Sequence, residues 1–251
     1  MKAIKQFYDN LASSYDGMTS FDERFKKEEK YFKSIIEKYK ISSALDAGAG
    51  TGFHSLLLAS LGIDVTAVDI SPKMLKQARK HAREMHLKIK TVQSDFLSIH
   101  KLIECKFDAI FCLGNSLPHI PPKSLHNTFK IFFQMLHPGG IIVFQILNYN
   151  RILHEGERIQ NVRNSKEFTS IRYYDFYKKT FRFNILTIHH PANKASSHIF
   201  NSIIHYPIYQ EKLMDIASKS GFIKQQSYGG IDLLGYRANS SRDIVLIAEK
   251  P

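Results

Sequence analysis

The sequence predicts an α/β protein with a mostly parallel β-sheet, into which a second, antiparallel sheet is inserted. Three observations carry this reading. Between about residues 40 and 145, short apolar runs alternate with amphipathic helical segments, the pattern of parallel strands joined by right-handed crossover helices. The first of those runs ends in glycines at 48, 50 and 52. From about 150 to 207 the alternation with helices stops, and aromatic-rich runs of strand-like period take over.

Residues 1–16 set Phe7, Tyr8, Leu11 and Tyr15 at helical spacing. Residues 21–40 set Phe21, Phe25, Phe32, Ile35, Ile36 and Tyr39 on one face, with Lys and Glu opposite. Strand candidates follow at 44–47, 65–69, 89–92, 107–112 and 140–144, separated by helical stretches at 52–61, 73–86, 97–104 and 123–136. Ser71-Pro72 puts proline at a first helical position, which its fixed φ suits. Alternating runs from Tyr173 to Ile188, a turn at His190-Pro191-Ala192-Asn193-Lys194 and a partner strand from Ile199 to Tyr206 make the inserted sheet. A helix over 209–220 stops at Gly221, a C-cap residue type, and strands at 222–228 and 243–248 close the chain.

The 251 residues suit one elaborated α/β domain, large enough to need no disulfide or metal for stability. No apolar run is long enough for a membrane span, and no apolar h-region follows the lysines near the start, so no signal peptide is read. Cys105 and Cys112, both in apolar stretches, point to a reducing cytoplasm. The net charge of +12 is spread over the chain, with Arg79, Lys80 and Arg83 on one solvated helix face. A nucleic-acid or other polyanion partner stays open as an alternative.

A strand that runs into a glycine turn and then a helix exposes backbone N–H groups and lets a ligand approach closely. A dinucleotide fingerprint has the spacing G-x-G-x-x-G. Here the spacing is G-x-G-x-G, residue 53 is Phe, and Asp46 stands two before the first glycine. An acid there repels a pyrophosphate and attracts a cationic amino acid. S-adenosylmethionine has an ammonium, a sulfonium and no phosphate, so the turn Asp46, Ala47, Gly48 and Gly50 reads as its site. Asp69 ends the second strand, where an acid accepts hydrogen bonds from ribose hydroxyls; Ile70 and Met74 follow it. Asp95 and Phe96, after the third strand, are placed to bond an adenine amino group and pack on the ring. Taken singly, each acid is equally a helix cap or a solvated turn. Three acids at three successive strand ends point together to the ligand edge of an open α/β sheet.

On these residues, the stretch from about 40 to 145 resembles the class I S-adenosylmethionine-dependent methyltransferases, whose pattern is D/E-x-G-x-G-x-G with an acid after the second strand and another after the third. Leu113-Gly114-Asn115-Ser116 with His119, then Pro138-Gly139-Gly140 and Asn148-Tyr149-Asn150-Arg151, resemble the glycine and sarcosine N-methyltransferase group, as do the inserted aromatic sheet and the closing run from Tyr228. The resemblance implies a Rossmann-like sheet of seven strands with an antiparallel last strand. It implies a helical lid at 1–40, a cofactor-binding domain at 41–150 with 208–251, and an antiparallel cover at 151–207. It also implies that Tyr8, Tyr15 and Arg24 reach over the cofactor, with Arg24 on the methionine carboxylate, and that Leu113, Asn115, Ser116 and His119 line the methyl-transfer site. Glycine-binding members carry an arginine just before the Asn-Tyr pair. Leu147 stands there in this chain, so an amine without a carboxylate, or one gripped differently, fits equally well.

The chemistry expected is in-line N-methylation of a small-molecule amine, with S-adenosylhomocysteine as product. Such displacement relies on positioning and desolvation. Asn115 is the residue to orient the nucleophile. His119 is either a general base, given an ordinary pKa of about 6.5, or a cofactor contact. Tyr149, Tyr174 and Tyr206, with Tyr173 and Tyr177, suit a cation-friendly aromatic cage or, equally, the packed core of the inserted sheet. The histidines show no metal spacing, and His189-His190 diverge in a strand. An RNA methyltransferase and a non-catalytic cofactor-binding protein are the alternatives.

Overall fold

The computed structural model describes residues 1–12, 14–16, 21–192 and 195–251, with the side chain of residue 22 outside that description. Strands β1 (Ser43–Ala47), β2 (Asp64–Asp69), β3 (Lys90–Gln93), β4 (Phe107–Cys112) and β5 (Leu136–Leu147) run parallel. β1, β2 and β4 read as near-continuous apolar runs because helices cover both faces of the sheet. Among those helices are α2 (Phe21–Tyr39), α3 (Phe53–Ser60), α4 (Pro72–Glu84) and α5 (Pro122–Met135), whereas α1 (Lys2–Leu11) packs on α4 and on the inserted sheet. Ser71 caps α4, its hydroxyl accepting from the Met74 N–H at 3.1 Å, with Pro72 next to it as expected.

After β5 come α6 (Tyr149–Glu155), β6 (Ile159–Asn164), β7 (Phe168–Phe176), β8 (Phe181–His189), β9 (Ser197–His205), α7 (Gln210–Lys219), β10 (Ile223–Tyr228) and β11 (Asp243–Glu249). Among the described residues, the main sheet has the order β10-β11-β5-β4-β1-β2-β3, and β6 to β9 form a four-stranded antiparallel sheet. β11 runs antiparallel to both β5 and β10. The expected α/β architecture, with its antiparallel last strand and inserted antiparallel sheet, is borne out. β1 lies between β2 and β4, so the crossovers reverse direction there and leave a crevice at the carboxyl ends of β1 and β4.

Two cores sandwich the sheet. Phe129 stacks on Phe144 at 4.5 Å between ring centres on one face, and Phe32 meets Phe111 on the other. Each such buried ring contributes roughly 1.5–3 kcal/mol. A third cluster ties the N-terminus across both sheets: Phe7 and Leu11 of α1 pack on Met74 of α4 and on Ile185 and Ile203 of the inserted sheet. The Ser71 hydroxyl donates to Asp9 at 2.6 Å, and the Asn10 amide to Asn201 at 3.2 Å.

Some elements differ from expectation. The run from Tyr173 to Ile188 is a hairpin, β7 and β8, that turns at 177–180. The 190–194 turn joins β8 to β9, and its Asn193-Lys194 lie outside the described residues. β6 and α6 carry too few apolar residues to announce themselves, and 97–104 holds a single 3-10 turn at Ile99–Lys101. No helix among the described residues is long and apolar enough to cross a membrane.

Candidate active site

A cavity opens at the carboxyl ends of β1, β2 and β4. It is lined by Gly48, Asp69, Ile70, Asp95, Phe96, Leu113, Ser116 and His119, and roofed by Tyr8, Tyr15 and Arg24. Gly48 has φ +84°, and a Cβ there would stand 2.6 Å from the Ser116 hydroxyl. Only glycine gives this turn its shape. The carboxylate of Asp69 ties the turn together: one oxygen accepts the Gly50 N–H at 2.9 Å and the other the Ser71 N–H at 2.8 Å. Burial pushes its pKa up to about 6. A carboxylate offers about four acceptor positions, so Asp69 keeps two for a ligand. Asp95 uses one oxygen on the Leu97 and Ser98 N–H groups, each at 2.9 Å, as a cap does.

Other expected contacts lie elsewhere. Asp46 is buried and points away from the cavity; it accepts the Ser55 hydroxyl of α3 at 2.5 Å. Alternation along β1 directs it there. Ala47 and Gly50 do not line the cavity, although the Gly50 amide holds Asp69. Met74 is fully buried under α1 in the cluster with Phe7 and Leu11. Arg24 does reach the roof, held by Glu28 at 2.8 Å and lying 4.2 Å over the Phe53 ring. The same Glu28 faces His54, and these partners bring its pKa down to about 2 against the opposing effect of burial.

Through Tyr8, Tyr15, Arg24, Leu113 and Gly114 this cavity joins a second chamber of about 810 Å³, bounded below by β4 and β5 and above by the inserted sheet. Asn115 stands at the junction. Its backbone is left-handed, φ 64°, directly after Gly114 at φ 65°. Asparagine tolerates that conformation better than most residues. The Gln145 side chain accepts the Gly114 N–H at 2.6 Å, and the Asn115 Oδ1 accepts the Leu147 N–H at 2.9 Å. The Asn115 carbonyl oxygen is thus engaged by β5, and its amide donates to the Tyr149 hydroxyl at 3.1 Å. Such a locally strained backbone, fixed from several sides, is typical of a site that must hold one geometry.

Behind Asn115 lies a buried polar network. The Tyr8 hydroxyl is 2.7 Å from His119 Nε2. The His119 and His205 rings meet edge to face, centres 4.5 Å apart. The Tyr149 and Tyr174 hydroxyls lie 3.3 and 3.4 Å from His205 Nδ1. His119 Nδ1 and His205 Nε2 are buried without a partner. Burial pushes the His119 pKa down to about 4, lowers that of His205 well below the ordinary value, and raises both tyrosines. All four rings are therefore uncharged near neutral pH. His119 faces the first cavity, whereas His205 and Tyr174 face the second.

Sequence reasoning missed His205 and named Tyr206 instead. Tyr206 follows the end of β9, spends its N–H on the Pro118 carbonyl at 2.8 Å and lines neither cavity. Tyr149 sits behind the wall, holding Asn115 and His205. Of the tyrosines offered as a cage, Tyr174 faces the chamber; Tyr173 lies on the other face of β7, and Tyr177 is exposed in the hairpin turn. Among the described residues no group of three His, Cys, Asp or Glu side chains converges as metal ligands would.

Residues 44–140 match the family model described as a methyltransferase domain. The chain is 28% identical to the glycine/sarcosine N-methyltransferase of Halorhodospira halochloris over 98% of its own length and 89% of that protein. It is 32% identical to the enzyme of the same description from Aphanothece halophytica, over 60% of this chain and 57% of that one. Among solved structures, an S-adenosylmethionine-dependent methyltransferase from Clostridium acetobutylicum ATCC 824 has the same fold, with a TM-score of 0.83 at 19% identity, covering 97% of this chain and 98% of that one.

Proposed function

We propose that this chain, whose residues 44–140 match a methyltransferase domain, is a class I S-adenosylmethionine-dependent methyltransferase that methylates the nitrogen of a small-molecule amine. The observation that carries this is the shared wall at Leu113, Gly114, Tyr8 and Tyr15, through which the glycine-turn cavity meets a chamber walled by Asn115, Tyr174 and His205. The residues fit S-adenosylmethionine: Gly48 leaves space that a Cβ would fill, and Asp69 keeps acceptor positions for ribose hydroxyls. Asp95, Phe96, Ile70 and Ser116 surround the adenosine region of this reading, and Tyr8, Tyr15 and Arg24 act as its lid.

When bound there, S-adenosylmethionine would supply an electrophilic methyl group on a sulfonium, and its transfer to an amine nitrogen would release S-adenosylhomocysteine and a proton. The protein's part is to orient the amine and to exclude water. Asn115, locked by Leu147 and Tyr149, fixes the floor of the junction. Neutral His119, His205, Tyr149 and Tyr174 make that junction costly for an ammonium ion and favour the free amine that attacks. His119, with its pKa at about 4, is a poor base and serves instead to hold Tyr8 over the cofactor. The relatives named as glycine/sarcosine N-methyltransferases support an amine acceptor.

The test is a methyl-transfer screen with labelled S-adenosylmethionine over amines, amino acids and bulk RNA. Label transferred to amine nitrogen supports the reading. Label transferred to RNA alone, or to nothing under conditions where the cofactor binds, overturns it.

A further inference from the structure

The inserted sheet has two unlike faces. Its inner face meets α1, α6 and the chamber: Ile185 and Ile203 pack with Phe7 and Leu11, and Tyr174 and Phe181 with Tyr149 and Ile152. Alternation along each strand turns every second residue the other way. On that outer face the strand registers align Val162, Ile171, Leu186 and Phe200 in one apolar row that crosses all four strands. Ile159 and Tyr173 flank the row on one side and Ile188 on the other. Val162 is 56% exposed, Ile159 57%, Phe200 54% and Ile204, at one end of the face, 43%. None of these outer side chains lines either cavity. Single exposed apolar side chains are ordinary on a soluble surface, whereas a contiguous apolar patch marks a contact surface.

The size and the charges of this face fit a second copy of the chain. Strands of six, nine, nine and nine residues, at about 3.4 Å per residue and about 4.8 Å apart, give it an area of roughly 540 Å². Two such faces bury roughly 1,100 Å², above the roughly 1,000 Å² that a specific interface needs. Sheets that stack face to face keep their strands within about 30° of each other. A two-fold axis between two copies, parallel to the strands, exchanges β6 with β9 and β7 with β8. The apolar row then lies on itself, Val162 against Phe200 and Ile171 against Leu186. The same operation sets Arg182 of one copy over Asp175 of the other, because these two are register partners on β8 and β7. Within its own chain Asp175 holds Arg158 and Asn184, and Arg182 lies 5.8 Å from the Tyr177 ring centre. An exposed charge pair of this kind adds little affinity but fixes register.

We propose that the outer face of the inserted sheet is a dimer interface. Two copies of this chain stack it face to face about a two-fold axis, with the row from Val162 to Phe200 at the centre and Arg182 opposite Asp175. An apolar middle with a polar rim is the usual anatomy of such a contact. The methyl acceptor plays no part in it, because the chamber lies against the inner face.

Sedimentation of the full chain at about 100 μM, enough to populate a complex with a micromolar Kd, reads the assembly directly. The wild type is expected to sediment as a dimer. Val162→Glu and Phe200→Glu each place an unpaired charge in the apolar row and are expected to raise the dissociation constant about tenfold or more. Both positions are exposed on edge strands, so both variants are expected to keep the wild-type circular dichroism spectrum. Arg182→Glu and Asp175→Arg are each expected to self-associate about tenfold more weakly than wild type, and to dimerise with each other on mixing, which restores opposite charges at both contacts. Arg182→Glu carries the charge test alone if Asp175→Arg fails to fold. A wild type that stays monomeric overturns the inference, and co-sedimentation of that monomer with phosphatidylcholine vesicles would assign the face to a lipid surface instead. A dimer unaltered in both Val162→Glu and Phe200→Glu also overturns it, by placing the interface elsewhere. Arg182→Glu that self-associates like the wild type overturns the two-fold stacking.

Discussion

The Tyr8 hydroxyl of the N-terminal helix lies 2.7 Å from Nε2 of His119, a residue 111 positions later on the turn after β4. This bond joins the roof of the glycine-turn cavity to its floor. It makes the roof part of the site, and it gives His119 a partner while leaving its Nδ1 bare. Tyr8→Phe removes the hydroxyl but keeps the ring. The expected outcome is a loss of about 1–3 kcal/mol in chemical denaturation, from the stranded imidazole, together with weaker S-adenosylmethionine binding by calorimetry.

Acid is expected to unfold the protein through the same histidines. His119 has its folded pKa pushed down to about 4 and His205 lies well below the ordinary 6.5, so the unfolded chain binds more protons than the folded one between those limits. Their contribution to stability is therefore present above pH 6.5 and is lost as pH falls toward 4. Urea midpoints at pH 7.5 and pH 5 read the effect, expected to be a few kcal/mol in total. His119→Gln is expected to flatten the slope. The rate at saturating cofactor is expected to show no inflection near pH 6.5 assignable to His119.

Asp69 titrates in the opposite sense. Its pKa of about 6 exceeds the ordinary carboxylate value of 3.8, so ligand-free stability falls as pH rises through that window and the ionised form is the costly one. A ligand hydroxyl donating to it favours that ionised form. Cofactor affinity is thus expected to drop as pH falls below about 6, with the dependence abolished in Asp69→Asn. Titrations at pH 5, 6 and 7.5 read it directly.

Gly48→Ala tests the turn. The added methyl meets the Ser116 hydroxyl at 2.6 Å, and φ +84° is unfavourable for alanine. A loss of about 1–3 kcal/mol is expected from the backbone strain, with cofactor binding lost. Gly48→Ala combined with Ser116→Gly relieves the clash alone, so partial recovery of stability is the measurable signature.

His205 and Tyr206 make a matched pair. His205→Asn is expected to reduce turnover of the best amine about tenfold or more, as removal of a buried site hydrogen bond does, while cofactor affinity holds. Tyr206→Phe is expected to behave as wild type in the same assay, since its side chain lines neither cavity.

That pair also marks where sequence reading reached its limit. The glycine turn, Asp69 and Asp95 were legible because each lies at a strand end that the local pattern defines. Asp46 was legible as an acid before the glycine turn but was read as facing the ligand, because its partner Ser55 sits on the following helix and β1 alternation decides the side it faces. His205 was missed for a one-residue reason: in a strand, neighbours face opposite ways, so an end misjudged by one residue moves the site to the wrong side chain. β6, with the sequence Ile-Gln-Asn-Val-Arg-Asn, gains its strand from pairing with β7, and no apolar period announced it.

The central claim is that the glycine-turn cavity binds S-adenosylmethionine through Asp69. Calorimetric titration of wild type and Asp69→Ala with the cofactor at pH 7.5 tests it most directly. Saturable binding in the wild type, weakened about tenfold or more in a folded variant, is the predicted result. Equal affinity in the two proteins would contradict the site.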